Sequence, residues 1–289
     1  MQSIEFKTRD NILLRGWFYI PTVTPAPVVI MTPGFSALKE HVLSPFAEYF
    51  QALGFSVLLY DNRNFGESEG LPRFEVDPIL QTKDLIDAMD FLKTVKEVNA
   101  EKIFLWGTSF SAGNVVKIAA ENVPLQAICL QVPFLRGHHA SLREKRPDIL
   151  EALQKKYAID ARARAKGAAP MMTPVVTDDV NKPAIMKEKE AYDYFTRVPS
   201  FENQVTLRSI ENSGNYFPIE VIHQIKAPTL YIVAKEDTIC PANIAYEAYQ
   251  KTFSKKKWVE IEGHHFSPYD TQFELCARLA GEWFLENVK

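Results

Sequence analysis

Six short runs of apolar residues constrain the fold of this chain more than any other feature. They lie at residues 28–31, 55–60, 103–106, 127–132, 229–234 and 258–261. Continuous apolar runs of this length are typical of strands buried on both faces of a parallel sheet. Helical patterns separate most of the runs, so the sequence predicts an α/β fold in which a mostly parallel, twisted sheet is flanked by helices.

The alternation of strands and helices stops between about residue 134 and residue 212. This stretch is charged and rich in helical patterns, and it contains no clear sheet strand. Insertions over the carboxyl edge of a sheet commonly act as lids. We therefore expect an α/β core formed by residues 1–133 and 213–289, with residues 134–212 as a helical lid or cap.

The composition excludes several classes of function. The 289 residues carry a formal net charge of −3, and no basic stretch suits nucleic acid. No run of roughly 18 apolar residues exists, so no membrane span is expected. Cys129, Cys240 and Cys276 are scattered and are expected to be buried free thiols rather than partners in a disulfide. Together with the absence of a secretory-signal pattern, this expectation favours a cytoplasmic protein. The oligomeric state stays open, with a homodimer as one alternative.

A sharp turn with a serine at its tip follows the third apolar run. The sequence there is Gly107-Thr108-Ser109-Phe110-Ser111, the pattern of a nucleophile elbow between a strand and a helix. The residues two positions on either side of the nucleophile must be small, because strand and helix pass close to them. Ser111 stands where a second glycine is usual. An ordinary strand-to-helix turn is the alternative, and the position after a buried strand favours Ser109 as a nucleophile.

A serine nucleophile requires a base and an acid that orients the base. Two adjacent histidines follow the last apolar run, and we expect His265 to be the base, with His264 in that role as the alternative. Asp237 lies just beyond the strand at 229–234, where it could hold one nitrogen of the imidazole. Its neighbour Glu236 is the competing acid and is expected to be solvated.

An oxyanion hole completes the predicted site. The segment 32–36 closes the first apolar run, and the backbone amides of Phe35 and Phe110 are positioned to converge on a substrate carbonyl oxygen. Phe110 also begins the helix after the elbow, where the partial positive charge of the helix end favours an anion. This assignment rests on geometry, because composition does not identify a backbone donor.

Other polar and aromatic residues have less specific interpretations. Asp61 and Arg63 are expected to tie loops together, and His41 and His223 lie outside the expected constellation. The pair His138-His139 begins the insertion and is expected to be solvated. Apolar residues of the insertion are candidates for pocket walls, although ordinary packing is the commoner role of each: Met171, Met172, Tyr192, Tyr194, Phe195 and Phe201.

Taken together, these residues resemble the α/β-hydrolase superfamily of serine hydrolases. Ser109, Asp237 and His265 follow in the superfamily order. The local sequence of four segments resembles that of a branch found in fungal polyketide pathways and in related bacterial hydrolases. Members of this branch are described as thioester hydrolases or acyltransferases. The segments that carry this resemblance are 61–66, 107–113, 131–133 and 265–269. The resemblance implies acyl transfer from an ester or thioester to water or to another hydroxyl group.

The function expected from the sequence is that of a serine hydrolase. It would cleave a small-molecule carboxylic ester or thioester through an acyl-enzyme on Ser109, and it would need no metal or organic cofactor. One alternative is an acyltransferase that passes the acyl group to an alcohol. Another is a ligand-binding protein on the same fold that has lost catalysis.

Overall fold

The sequence folds into one large sheet covered by helices. The computed structural model describes residues 1–179 and 181–288. The strands are β1 (Gln2–Lys7), β2 (Leu13–Tyr19), β3 (Ala26–Thr32), β4 (Ser56–Tyr60), β5 (Val98–Thr108), β6 (Ala127–Gln131), β7 (Met172–Thr173), β8 (Val205–Thr206), β9 (Thr229–Ala234) and β10 (Lys256–Ile261). The helices are α1 (Ser44–Ala52), α2 (Pro78–Leu92), α3 (Phe110–Ala120), α4 (His138–Lys145), α5 (Pro147–Arg164), α6 (Lys189–Thr196), α7 (Leu207–Gly214), α8 (Ala242–Lys251) and α9 (Phe273–Glu286).

The main sheet is mostly parallel. Within the described residues it has eight strands in the order β1-β2-β4-β3-β5-β6-β9-β10. The pairs β1–β2 and β2–β4 are antiparallel, and the remaining pairs are parallel. All six apolar runs form strands of this sheet, which confirms the predicted fold class.

Strand register brings the loops that follow the central strands together at the carboxyl edge of the sheet. Thr32 at the end of β3 lies opposite Gly107 of β5, and Thr108 lies opposite Gln131 at the end of β6. Ala234 ends β9 on the other side of β6. Loops that leave these strands therefore begin side by side, as the ligand-binding crevice of an open α/β sheet requires.

Burial on both faces explains why the strands read as continuous apolar runs. In β5, Phe104 and Trp106 pack in the core layer on one face of the sheet, and Ile103 and Leu105 pack on the other. All four side chains are buried. Burying a large apolar side chain stabilises the fold by about 1.5–3 kcal/mol, so each of the two layers contributes to holding the central strands in place.

The stretch 134–212 contains helices α4, α5 and α6 and most of α7. It also contains a small separate sheet, because β7 pairs with β8 in antiparallel register. The expectation that this stretch contains no clear sheet strand holds for the main sheet within the described residues; β7 and β8 were missed because each has two residues, too few to show an alternating pattern. The division into core and lid stays a prediction, and its boundary at residue 212 falls inside α7.

Two predictions from composition concern thiols and membranes. Cys129, Cys240 and Cys276 are all free and buried, which confirms the prediction for the thiols. Among residues 1–179 and 181–288, no helix combines the length and apolar character needed to cross a bilayer.

Candidate active site

The elbow holds Ser109 in a strained conformation at the end of β5. Ser109 has φ 54° and ψ −123°, and α3 begins at the next residue. A positive φ at a residue other than glycine costs on the order of 1–3 kcal/mol. Gly107 is required here, because a Cβ atom at that position would lie 2.6 Å from the Cα of Ala112. The predicted turn is confirmed in this backbone geometry.

The departure from the usual elbow pattern has a structural role. The Ser111 hydroxyl accepts a hydrogen bond from the Thr108 amide at 2.9 Å and donates to the carbonyl oxygen of Thr32 at 2.8 Å. Thr32 ends β3, so this buried hydroxyl ties the strand before the predicted oxyanion loop to the strand before Ser109. A glycine at residue 111 would lack both bonds.

The structure brings the three predicted side chains together in one chain of hydrogen bonds. His265 Nε2 lies 2.9 Å from Ser109 Oγ, and His265 Nδ1 lies 2.7 Å from Asp237 Oδ2. Because a carboxylate only accepts, Nδ1 donates its proton to Asp237, which leaves Nε2 free to accept the Ser109 hydroxyl proton. The alternatives lie elsewhere: His264 Nδ1 accepts from the Phe266 amide, and Glu236 is exposed.

Asp237 is held in place by its own turn. Its second oxygen, Oδ1, accepts hydrogen bonds from the amides of Ile239 at 2.9 Å and Cys240 at 2.7 Å. The Asp237 side chain is fully buried beside His265. Charge-assisted bonds of this kind are stronger than neutral ones, so the carboxylate is fixed before a substrate arrives.

The segment after β3 lies directly against the nucleophile. A Cβ atom on Gly34 would lie 3.2 Å from Ser109 Cβ and 3.6 Å from Ser109 Oγ. The rings of Phe35 and Phe110 pack edge-on with centroids 5.6 Å apart. Within the described residues, neither the Phe35 amide nor the Phe110 amide donates a hydrogen bond. Two donors are therefore available next to Ser109.

A layer of buried polar groups supports the site from behind. The Tyr269 hydroxyl and Thr108 Oγ1 share a hydrogen bond, and Gln131 Nε2 donates to the same Thr108 oxygen at 3.2 Å. Burial raises the pKa of the Tyr269 hydroxyl well above its usual value. Cys240 is buried beside Asp237, and this burial likewise raises the pKa of its thiol. Sequence reasoning missed these supporting roles; their only local signal was proximity to Asp237 and His265.

A cavity of about 220 Å³ opens onto Ser109. Most of its lining is apolar and comes from both the core and the stretch 134–212. The lining residues contributed by that stretch and α7 are Phe134, His138, His139, Leu142, Leu153, Ile185, Met186, Glu188, Tyr194, Phe195, Ile210, Ser213 and Gly214.

The structure corrects part of the predicted pocket wall. Tyr194 and Phe195 line the cavity, as predicted. Met171 and Met172 are 47% and 40% exposed instead. Tyr192 and Phe201 pack against the core without lining the cavity. Helical periodicity identifies an apolar face and does not show which neighbour covers it.

The prediction that His138 and His139 form a solvated pair was wrong for His139, whereas His138 is exposed. Both line the cavity. His139 is buried, with Nδ1 3.1 Å from Asn215 Oδ1 and Nε2 3.1 Å from the Tyr157 hydroxyl. His138 packs edge-on against Phe134 with centroids 5.6 Å apart. The position of α4 over the sheet edge, rather than the polarity of the two histidines, determines where their rings lie.

His41 joins the predicted lid to the oxyanion loop. Its Nδ1 accepts from the Leu38 amide at 3.0 Å, and its Nε2 donates to the carbonyl oxygen of Phe195 at 3.2 Å. The Tyr194 hydroxyl donates to the His41 carbonyl oxygen at 3.2 Å. Burial lowers the pKa of His41 to about 4. The sequence placed His41 outside the catalytic constellation, and its contact with α6 could not be read from it.

Asp61 and Arg63 tie loops together, as predicted. Buried Lys39 binds Asp61 with an Nζ–Oδ2 distance of 2.7 Å. Arg63 forms an ion pair with buried Asp84 and another with Asp10, in which Nη1 lies 2.9 Å from Oδ2. These pairs hold the loop after β4 without reaching Ser109.

Comparisons with known proteins identify relatives over most of the chain. The family model for "Serine aminopeptidase, S33" matches residues 24–265. A thiohydrolase of Eupenicillium brefeldianum is 36% identical over 84% of this chain and 79% of its own length. The quorum-quenching protein AidA of Acinetobacter baumannii is 30% identical over 96% of this chain and 91% of its own.

Solved structures of similar proteins superpose over nearly the whole chain. DcsB, determined in complex with its substrate analogue, has a TM-score of 0.88 and 29% identity, and the match covers 99% of both chains. The α/β-hydrolase GrgF from Penicillium sp. sh18 also has a TM-score of 0.88, with 25% identity, over 99% of this chain and 98% of its own. The chain therefore belongs to the serine aminopeptidase S33 family of hydrolases, which have the α/β-hydrolase fold.

Proposed function

We propose that this protein cleaves a carboxylic ester or thioester through an acyl-enzyme on Ser109. The observation that carries the proposal is the hydrogen-bond chain from Ser109 through His265 to Asp237, with its serine end facing a cavity. A serine hydroxyl is a weak nucleophile until a base removes its proton. Here a base and its orienting acid are already within hydrogen-bond distance.

The geometry supports a two-step acyl transfer. Ser109 Oγ attacks the substrate carbonyl carbon while its proton passes to His265 Nε2, and Asp237 stabilises the imidazolium. His265 then protonates the departing alkoxide or thiolate, which leaves the acyl group on Ser109. Water attacks the acyl-enzyme, its proton passes through His265 to Ser109 Oγ, and the carboxylic acid is released.

The free amides of Phe35 and Phe110 are proposed to hold the oxyanion in both steps. Loss of one such donor typically raises the barrier by about 2.7–4 kcal/mol. Because both donors belong to the backbone, the hole is formed before a substrate binds, and it is held by the Ser111 bridge between β3 and β5.

The lining of the cavity supports a substrate with an apolar acyl group. Glu188 is the only carboxylate among the lining residues within the described chain, and it is exposed. An aminopeptidase must bind a free ammonium group, and the described residues that line this cavity include no buried carboxylate to pair with one. Relatives named thiohydrolase also support ester or thioester cleavage.

An acyltransferase is the second candidate function. A polyketide transferase of Aspergillus fumigatus is 33% identical over 82% of this chain and 80% of its own. In that case an alcohol would replace water in the second step. Assays with a thioester, run with and without an added alcohol, distinguish the two by whether free acid or a new ester is released.

We also propose that residues 134–212 act as a lid. Supporting this, Leu142, Leu153 and Ile185 contribute to the cavity wall above Ser109.

Three buried free thiols suit a reducing compartment such as the cytoplasm.

A fluorophosphonate probe tests the proposed nucleophile. The wild-type protein should be labelled covalently, and Ser109→Ala should abolish labelling. Ser213→Ala is a matched control, because Ser213 also lines the cavity, whereas its hydroxyl donates to the carbonyl oxygen of Ile210. Absence of labelling in folded wild-type protein would reject the enzyme and favour a ligand-binding protein, and labelling that persists in Ser109→Ala would reject Ser109.

A further inference from the structure

The candidate active site contains a thiol, that of Cys240, which takes no part in the proposed mechanism. Cys240, Asp237 and His265 each offer one ligand atom, and these three atoms all lie within 4.8 Å of one another. All three side chains are buried. The Cys240 thiol also lies close to Ser109. A sulfur, an imidazole nitrogen and a carboxylate oxygen in one cluster form a set of zinc ligands.

We propose that Asp237, Cys240 and His265 bind one Zn²⁺ ion, and that this ion switches off the hydrolase. The ligand types select a borderline-soft divalent cation and disfavour Mg²⁺ or Ca²⁺, which prefer oxygen ligands. In a tetrahedral zinc site with bonds of about 2.0–2.3 Å, ligand atoms lie roughly 3.3–3.8 Å apart. The ligand atoms therefore need shifts of at most about 1 Å to reach these separations.

Two of the ligands are held on one turn before any metal arrives. The Cys240 amide donates to Asp237 Oδ1 at 2.7 Å, which fixes the cysteine backbone relative to the carboxylate. Coordination by Cys240 sulfur releases the thiol proton to solvent. The fourth position is open to Ser109 Oγ or to a water molecule. Thr238, Ile239 and His265 line the cavity, which gives the ion a route to the cluster.

Zinc and catalysis exclude each other in this arrangement. His265 Nε2 is bonded to Ser109, and His265 Nδ1 is bonded to Asp237. A metal ion on Nε2 replaces the hydrogen bond to Ser109, whereas a metal ion on Nδ1 moves the ring proton to Nε2, which can then no longer accept the Ser109 proton. Zinc therefore inhibits hydrolysis whichever of the two His265 nitrogens it binds. This inhibitory effect rests on the proposed function, whereas zinc binding itself does not.

Zinc binding is tested by calorimetric titration of metal-free protein with ZnCl₂. Wild type should bind one ion more tightly than any surface site. Cys240→Ala, and separately the near-isosteric Cys240→Ser, should weaken that binding at least about tenfold, because sulfur is the softest ligand. Cys276→Ala is the matched control: it removes an equally buried thiol that is not in the cluster, and its zinc binding should equal that of wild type.

Ser109→Ala separates this proposal from the proposed function. It should lose hydrolysis and keep zinc binding, since Ser109 is not one of the three ligands and water can occupy the fourth position in its place. Inhibition is measured against the metal-free activity of each variant, with MgCl₂ as a control that should not inhibit. Unchanged zinc affinity in folded Cys240→Ala, or zinc binding by wild type without inhibition, would overturn the proposal. Zinc binding that persists while Ser109→Ala remains active would refute only the proposed function.

Discussion

The carboxyl edge of the sheet and the stretch 134–212 form opposite walls of one cavity and are built differently. At the sheet edge, Ser109, Asp237 and His265 follow directly from the ends or turns of paired strands, and Asp237 and His265 are almost fully buried. Helices α4 and α5 are mostly exposed, with few buried side chains, such as Leu150 and Tyr157. The difference indicates that strand register fixes the predicted reacting groups, whereas helices α4 and α5 of the opposite wall are held by few buried side chains.

The largest effect should come from the sheet edge. Asp237→Asn keeps the shape of the side chain but removes the carboxylate that holds the proton on His265 Nδ1. We expect kcat to fall about 10⁴-fold, with KM nearly unchanged, because the imidazole then adopts the wrong tautomer. Steady-state kinetics with an activated ester measures both constants.

Glu236→Gln is the matched control for that change. Glu236 is the exposed neighbour of Asp237, so its kcat should equal that of wild type. If Glu236→Gln lost as much activity as Asp237→Asn, the assignment of the acid would be wrong and the sheet edge would not hold the reacting groups as described.

The contact between the two walls should depend on pH through His41. Its pKa falls from 6.5 to about 4 on folding, because burial disfavours the charged ring. The unfolded chain therefore takes up the proton first. Stability is complete above about pH 6.5 and is lost as the pH falls towards 4, by on the order of 3 kcal/mol. Urea unfolding at several pH values measures this loss.

His41→Gln removes the titration while its amide can still donate and accept hydrogen bonds. The stability of this variant should fall less than that of wild type between pH 6.5 and 4. Parallel pH profiles for the two proteins would contradict this prediction, because they would show that the pKa of His41 does not fall on folding.

The smallest effect should come from the wall formed by α5. Leu153 lines the cavity, so Leu153→Trp should fill part of it. We expect KM for long acyl chains to rise roughly tenfold, while short acyl esters keep their KM, because one misfitted group in an apolar pocket is worth about 1–3 kcal/mol. Ile159→Trp is the control on the same helix, since Ile159 is exposed and outside the cavity. An equal effect of both substitutions would place the selectivity elsewhere.

The sequence predicted the sheet edge well, because that part obeys local rules. A buried strand shows as an apolar run, and an elbow shows as small residues around a serine. The order of Ser109, Asp237 and His265 could be read for the same reason: each follows a recognisable strand.

The wall formed by residues 134–212 could not be predicted to the same depth. Met171 and Phe195 are both apolar residues in that stretch, yet only Phe195 lines the cavity. Which of them faces Ser109 depends on contacts such as the bond between His41 and the Phe195 carbonyl, which joins residues 154 positions apart. Pairings over that distance leave no periodic signal in a single sequence.

The hydroxyl of Ser111 has a consequence for anyone who redesigns this protein. A designer who aligned it with its superfamily would be tempted to restore the consensus glycine at that position. That change would remove the hydrogen bonds that the Ser111 hydroxyl makes with the carbonyl of Thr32 and the amide of Thr108, and β3 would lose one of its links to β5. The departure from the consensus therefore links β3 to β5, and a glycine at residue 111 would weaken that link.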